Sequence, residues 1–492
     1  MSDLYPHQRR WIEDLRHAFC SAQRVMGQLP TGAGKTVCLA HMARAIAGAG
    51  QRVVLAVHRQ EIFLQTSQHL VETGIPHCVV GAKEVCQIAT LRAAQQAVLM
   101  SVSAPVVLAS MPTLMRRPRL PAAEWLFVDE AHHAAAKQWA KIIDSYAAAG
   151  TRILGVTATA GRHDGKPLTP LFESLVRGPE LKQLVAAGYL SPFEIKVPQA
   201  QVEREGVHLR AGEYAAAEMA PRARVVVGDA IKQYRKWLDG EQCIVFVPSV
   251  AEAERTAEDF KHAGYAAVNI DGRMKEAERG RRIADFARGD IRLLVNDSVL
   301  SEGLDVPAVR GMISLRPTYS KGRWMQDIGR ALRFEPGKTA VILDHAGNTD
   351  FHGHPFELTD FGFHGDERWR RKAESARRVE THVPVRQCRG CFMPFNSALG
   401  SCPHCGKIVE TVGRQYAQVE GELVDAEHRD APEIAAVKEV MGVVRRAGFI
   451  NGELDEIAER HGMGVSWIDA MRARVDWWQT PVGGAALEAL RE

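Results

Sequence analysis

The stretch LPTGAGKT, Leu29 to Thr36, decides how the rest of the chain reads. Gly32 and Gly34 carry no side chain, so the backbone can curl and turn successive N–H groups toward an anion. Lys35 supplies a point charge for β- and γ-phosphates, and Thr36 a hydroxyl oxygen for Mg2+. The residues that follow, TVCLAHMARAIAGAG, have helical spacing and stop at glycines. That sets the loop at a helix N-terminus, where the dipole favours phosphate. The fit to G-x-x-x-x-G-K-[ST] departs at one position, where Leu29 stands in place of the first glycine. Taken alone, the stretch also reads as a glycine-rich turn.

A second element supports the phosphate reading. VDEAHH, Val128 to His133, follows the apolar run WLF, which predicts Asp129 at the end of a buried strand. A carboxylate there can hold Mg2+, directly or through water, and Glu130 beside it can orient or deprotonate an attacking water. A lone DE pair is ordinarily solvated surface; one at a strand end downstream of a GKT loop is not so easily dismissed. His133 is extra to the pattern and is assigned no role.

Outward from these elements the chain alternates short apolar runs with longer stretches of helical spacing. Val53–Val57, Val106–Ala109, Trp125–Val128 and Ile153–Val156 form one series. Cys243–Val247, Ala267–Ile270, Leu293–Asn296, Met312–Leu315 and Ala340–Leu343 form another. Each predicts an α/β unit with a parallel sheet covered on both faces. The expected partition is an ATP-binding domain over 1–190 and a second α/β domain over 191–365. A basic helix with a zinc ribbon follows over 366–410, and a helical C-terminal domain over 411–492. The first boundary falls in a stretch read as irregular, Gly188 to Arg222, and residues 345–366 read as loop.

Bulk properties narrow the class. A chain of 492 residues exceeds one ordinary domain. It contains no run of about 18 apolar residues, and its first residues, MSDLYPHQRRWIEDL, lack a secretory core, so no membrane partner and a cytoplasmic location are expected. The net charge of +3 does not by itself argue for nucleic acid, which needs local basic patches. Five of the nine cysteines are scattered and four are clustered, a usage that fits a reducing compartment with a metal site.

With the GKT loop and the DEAHH box in place, the chain resembles the DEAD/DEAH-box helicases of superfamily 2. Within them it is most similar to the group holding type III restriction translocases and phage recombination helicases. The resemblance covers about residues 4–345. YPHQ, Tyr5 to Gln8, resembles the N-terminal glutamine element, which implies that Gln8 reads adenine. AVHRQEIFLQ (Ala56 to Gln65) and ASMPTL (Ala109 to Leu114) resemble motifs Ia and Ib, on the nucleic-acid backbone in the family. VTATA, Val156 to Ala160, resembles motif III, and IVFVPSV, Ile244 to Val250, motif IV. VNDSVLSEGLDVP, Val295 to Pro307, resembles motif V, with Gly303 and Asp305 at positions that approach nucleotide. QDIGRALR, Gln326 to Arg333, resembles motif VI. The resemblance implies two tandem RecA-like domains that bind ATP and Mg2+ through Thr31, Gly32, Ala33, Gly34, Lys35, Thr36 and Asp129. Gln326, Arg330 and Arg333 are implied to complete catalysis with Lys35, Asp129 and Glu130. Arg330 and Arg333, three apart on a helix, would reach the γ-phosphate across a closed cleft.

Behind the motor, CRGC…CPHC has the form CxxC-x10-CxxC. Two such knuckles can bring Cys388, Cys391, Cys402 and Cys405 to a tetrahedral Zn2+. A redox role for one CxxC is the alternative, without a thioredoxin-like unit around it. The preceding ERWRRKAESARRVETHVPVRQCRG reads equally as a phosphate-tracking segment and as a solvated helix face. The tail after Ala431 reads as amphipathic helices with a helix–turn–helix look around Gly462 and Gly464.

The leading expectation is an ATP-dependent helicase on nucleic acid, DNA ahead of RNA, acting in repair, recombination or phage replication. A nuclease or a replication or repair protein is a candidate partner. An RNA helicase, a duplex DNA translocase without strand separation, and a non-catalytic ATP-gated binder remain as alternatives. Motifs that touch backbone do not tell DNA from RNA.

Overall fold

Apolar strands and longer amphipathic helices between them build two sheets with helices on their faces, the first parallel throughout and the second parallel except for one antiparallel edge strand. The computed structural model describes residues 4–95, 103–135, 137–162, 165–198, 209–210, 213–214, 230–297 and 309–365. In the tail it describes 385–387, 394–396, 423–425, 434–440, 451–464, 467–469 and 471.

The first sheet contains β1 (Arg24–Gln28), β2 (Val53–Val57), β3 (His77–Val80), β4 (Val106–Ser110), β5 (Trp125–Asp129), β6 (Arg152–Thr157) and β7 (Ser174–Arg177). Their order is β3-β4-β2-β5-β6-β1-β7, and every pairing is parallel. All five residues of β2, VVLAV, are buried. A strand covered on both faces has no polar side to show, so its sequence does not alternate. Helices α1 (Pro6–Ala18), α2 (Lys35–Gly48), α3 (Gln60–Glu72) and α4 (Lys83–Gln95) cover one face, where Trp11, Leu39, Phe63 and Val85 join one core cluster. Helix α5 (Lys137–Ala148) covers the other face with Trp139, Ile142 and Ile143.

The linker helix α6 (Leu181–Ala186) leads to β8 (Phe193–Pro198), which belongs to the second sheet. This corrects the reading of Gly188 to Arg222 as irregular over Phe193–Pro198. FEIKVP places charged Glu194 and Lys196 between apolar residues, and Lys196 is nonetheless buried. It is paired with Glu194 at 3.1 Å and lies over the Trp237 ring at 4.1 Å. That compensation comes from residue 237 and is invisible in the local sequence. The remaining strands are β9 (Cys243–Phe246), β10 (Ala267–Ile270), β11 (Leu293–Asn296), β12 (Gly311–Ser314) and β13 (Ala340–Asp344). Helices α7 (Val250–His262), α8 (Glu276–Ala287) and α9 (Lys321–Ala331) pack on them.

In the tail, β14 (Val385–Gln387) and β15 (Pro394–Asn396) pair antiparallel, and β16 (Leu423–Asp425) pairs antiparallel with β8. The second sheet therefore runs β10-β11-β9-β12-β13-β8-β16. A helix, Asn451–Arg460, ends at a turn with Gly462 at φ 68°, and Ile457 and Ile468 pack with Phe334 and Met471.

Residues 345–365 are not plain loop, a second correction. A short helix, Asn348–His352, and a 3-10 turn, Pro355–Glu357, carry the chain back to the first sheet. There Phe363 is 2% exposed among Ile143, Ile153 and Phe172. Its carbonyl accepts the Leu168 N–H at 2.8 Å. Gly161 lies so close to this strap that a Cβ on it would stand 1.6 Å from the Phe361 carbonyl oxygen. The sequence pattern of 345–365 has no helical or strand period, because its apolar residues are spent on contacts with a distant domain. Among the described residues no helix is long and apolar enough to cross a membrane.

The strap yields a stability prediction. Phe363→Ala empties a buried aromatic site at a cost of about 3 kcal/mol or more. In thermal unfolding followed by circular dichroism, the midpoint should fall by roughly 6–12 °C. A midpoint unchanged from wild type would mean that the strap does not anchor the first domain.

Candidate active site

The phosphate loop begins where β1 ends. Leu29 N–H donates to the Thr157 carbonyl at 3.0 Å, and the Leu29 side chain is fully buried. This position extends the strand into the core rather than bending around an anion, which explains why leucine can stand there. The bend is made later, by Gly32 at φ 84° and Gly34 at φ 89°. Gly34 is the N-cap of α2, in the left-handed region that other residues enter at a cost. A Cβ on Gly34 would also stand 2.2 Å from the Gln8 amide nitrogen.

Gln8 itself is buried. Its Nε2 donates to the Ala33 carbonyl at 3.1 Å, and its Oε1 accepts the Tyr5 N–H at 2.9 Å. The structure thus sets Gln8 as a brace between the start of α1 and the phosphate loop.

At the end of β5 the backbone of Glu130 turns to φ 49°, the one non-glycine positive φ among the described residues. A glutamate held in the left-handed region costs on the order of 1–2 kcal/mol. The turn aims its carboxylate at Lys35, with Nζ 3.6 Å from Oε1. Asp129 Oδ1 accepts the Glu130 N–H at 3.0 Å. Burial, and then the neighbouring Glu130 charge, push the Asp129 carboxyl up to about 6, while Lys35 pulls the other way. A divalent cation would reverse that balance, and Thr36 and Asp129 offer it hard oxygen donors on one cavity wall.

The DEAHH box and motif III are joined directly. His132 Nδ1 lies 3.0 Å from Thr157 Oγ1 and 3.4 Å from Glu130 Oε2. The Thr157 hydroxyl donates to the Thr159 carbonyl and accepts the Thr159 N–H, both at 3.1 Å. This assignment leaves the Nδ1 proton on His132, facing both oxygens. His133, given no role from sequence, packs its ring 4.1 Å from His132 and 5.0 Å from His58.

The opposite wall comes from the second sheet. Helix α9 presents Gln326 and Arg330, one turn apart and both buried, and Arg333 follows its end. A cavity of about 440 Å3 is lined by Thr31, Gly32, Gly34, Lys35, Thr36, Asp129 and Glu130 from the first wall. Gln326, Arg330 and Arg333 line it from the second. The structure thus brings these ten expected residues to one space. Ala33 is buried and turns its carbonyl to Gln8. Gly303 and Asp305 lie outside the described residues, as do Cys388, Cys391, Cys402 and Cys405. Among the described residues no group of three or more His, Cys, Asp or Glu side chains that could hold a metal ion forms.

Two contributions were not read from sequence. Ile62, Gln65, Thr66 and His69 of α3 also line the cavity. Their spacing of 3, 4 and 7 marks one helix face, a signal present in the sequence but cut short by a motif Ia reading that ends at Gln65. Lys338, fully buried, donates from Nζ to the Arg333 carbonyl at 2.8 Å. Burial pushes its ammonium down to about 7, against the pull of Glu335.

Comparison with known proteins follows this geometry. Residues 1–162 match the family model described as type III restriction enzyme, res subunit, and residues 228–335 match the helicase conserved C-terminal domain. A 51.5 kDa protein of a Lactococcus phage (isolate 7-9) is 27% identical over 407 residues, 82% of each chain. The Schizosaccharomyces pombe protein irc3, named as a mitochondrial ATP-dependent helicase, is 26% identical over 69% of this chain. The chain spans 57% of that relative's length. Among solved structures, an HsdR-subunit fragment of a Vibrio vulnificus YJ016 type I restriction enzyme matches with a TM-score of 0.54 at 17% identity. The match covers 73% of this chain and 67% of that one. The type ISP restriction-modification enzyme LlaBIII, solved bound to DNA, matches with a TM-score of 0.50 at 16% identity, over 70% of this chain and 28% of that one. These two likenesses speak to the fold.

The site generates two predictions. Gly329 of α9 faces the phosphate loop, and a Cβ there would stand 2.5 Å from Thr31 Cβ. Gly329→Val should therefore hold the two walls apart and lower ATP turnover on the order of a hundredfold, with circular dichroism unchanged. Near-normal turnover would show that the walls need not meet this closely.

Lys338 predicts a pH dependence. Its proton is shed by the folded chain above about 7 but kept by the unfolded chain up to about its ordinary 10.5. Stability relative to Lys338→Met should therefore rise with pH from 7 to 9, by up to about 1.4 kcal/mol per pH unit. A flat difference in urea unfolding across that range would refute the buried neutral amine.

Proposed function

From the premise that the chain is an ATP-dependent helicase of superfamily 2, of the restriction-enzyme type, we propose that it unwinds DNA by hydrolysing ATP between its two sheets. The observation that carries this is the single cavity in which the phosphate loop and the acidic pair of one wall face Gln326, Arg330 and Arg333 of the other. In this reading Lys35 and the loop N–H groups hold the phosphates. Thr36 and Asp129 hold Mg2+, which on binding neutralises developing phosphate charge. Glu130 orients the attacking water, and Arg330 and Arg333 stabilise the transition state only when the walls are together. Binding then closes the cleft and release opens it, which converts chemistry into stepping. Gln8 serves the adenine side from its place on the phosphate loop. Gly303 and Asp305 belong to the same reading from the motif V resemblance.

DNA is preferred to RNA on two grounds. The wording of motifs Ia, V and VI is nearer the restriction and recombination group, and the first 162 residues match a restriction-enzyme subunit model. The fold likeness to an enzyme solved with DNA is consistent with this. A nuclease partner fits the same group.

The partition at 190, 365 and 410 is part of the proposal, as is Zn2+ on Cys388, Cys391, Cys402 and Cys405. The zinc reading is supported by β14 and β15, whose antiparallel pairing brackets Cys388 and Cys391 in sequence. Strand–CxxC–strand is the order of a zinc knuckle.

The test is steady-state ATP hydrolysis by the full chain with no polymer, single-stranded DNA, duplex DNA, forked DNA and matched RNA, followed by strand displacement. Stimulation by single-stranded or forked DNA together with displacement supports the proposal. Stimulation by duplex alone moves the reading to a translocase, and preference for RNA overturns the choice of DNA.

A further inference from the structure

Between β12 and α9 lies the turn LRPTYS, Leu315 to Ser320, which the motif pattern leaves unused. Arg316 in that turn is 6% exposed. Its Nη2 donates to Asp327 Oδ2 at 2.6 Å, and Asp327, on α9, is 2% exposed. Its Nη1 donates to the Asp297 carbonyl, just past the end of β11. Arg323 Nη2 donates to the same carbonyl at 3.3 Å. The Phe246 ring at the end of β9 lies 5.4 Å from the guanidinium carbon. The turn itself is held by Asn348. That side chain accepts the Thr318 N–H at 2.9 Å and donates to Ser314 Oγ and the Arg316 carbonyl, each at 3.0 Å. The guanidinium is thus fixed against the ends of two neighbouring strands before it meets α9.

What it grips on α9 is the helix's rotation. Asp327 stands between Gln326 and Arg330, and successive residues on a helix are turned by about 100°. Gln326 and Arg330, four apart, share the face that lines the nucleotide cavity. Asp327, about 100° from Gln326 and about 60° from Arg330, flanks that face, so fixing it fixes the direction of the other two. Side-chain tips lie about 6 Å from a helix axis. A rotation of about 20° would therefore carry them roughly 2 Å, in a site where about 1 Å can cost a hundredfold in rate. Stability is a poor explanation for the pair, since a buried ion pair often does no better than apolar residues of the same volume. The core side of α9 is already anchored by Trp324 and Ile328, both fully buried.

We propose that Arg316 is a positioning residue for ATP hydrolysis, locking the rotation of α9 through Asp327 so that Gln326 and Arg330 face the nucleotide. The inference rests on the reading of Arg330 as a group that completes the nucleotide site. It adds that the aim of this group is set from the ends of β9 and β11, through a residue that does not line the nucleotide cavity.

The test uses the full chain with both charges removed, Arg316→Met/Asp327→Leu, so that no lone buried charge is left to unfold it. Thermal midpoint, affinity for a fluorescent ATP analogue, and kcat and KM with the most stimulating polymer are measured. Arg330→Ala is measured in parallel. The expected result is an unchanged midpoint, affinity and KM within about twofold, and kcat lowered by roughly 30- to 100-fold. Should the double variant fail to fold, Arg316→Lys carries the test. It keeps the charge but loses the forked geometry, and a kcat lowered at least fivefold at unchanged midpoint supports the proposal. A kcat within threefold of wild type in the folded variant, with Arg330→Ala inactive, overturns the role of the pair and leaves that of Arg330. Arg330→Ala at the wild-type rate overturns both.

Discussion

The closeness with which α9 approaches the first sheet is the constraint on which the active cleft depends. Two glycines, Gly322 and Gly329, stand two helical turns apart on the same face of α9. A Cβ at the first would meet Thr159 Oγ1 at 2.9 Å, and one at the second would meet Thr31 Cβ at 2.5 Å. The helix that carries Gln326 and Arg330 is therefore seated on motif III at one end and on the phosphate loop at the other. Absence of side chains at these two points lets charged groups from both domains share one cavity.

Against that seat, the acidic side of the cleft is held under local strain. Glu130 adopts a backbone conformation ordinarily left to glycine, and this turn brings its carboxylate to Lys35 while His132 reaches Thr157. The unfavourable backbone is offset by burial of the surrounding strand ends. Thr159 contacts both the Thr157 hydroxyl and the α9 face, so short, packed contacts run from α9 to the His132–Glu130 side of the cleft.

Within the described residues up to 365 the chain crosses between the domains twice. It leaves the first by the linker, where Leu190 bridges to Arg333 and Ser191 N–H donates to the Leu332 carbonyl at 2.9 Å. It returns by the strap that ends at Phe363. Two crossings with buried anchors favour small hinge-like displacements over wide separation. Motion of that size suits a cycle in which arginines must meet and leave a phosphate.

The sequence by itself determined the elements governed by near neighbours. The apolar runs became strands because strands covered on both faces need only local hydrophobicity. The phosphate loop formed at a helix N-terminus because Gly32, Gly34 and Lys35 are adjacent in the chain. Tertiary structure alone decided the features whose partners lie far away in sequence. The Lys196 ammonium on β8 is stabilised in part by the Trp237 ring, 345–365 is ordered by a core nearly 200 residues earlier, and Leu29 is tolerated because Thr157 makes it part of the sheet. The rotation of α9 is the sharpest case. Motif VI names Gln326 and Arg330, but their aim is set by a buried pair in which Asp327 lies between motif positions and Arg316 belongs to a turn outside any motif. Local pattern records which residues are present; the distance between a guanidinium and a carboxylate is fixed only when the sheets have folded.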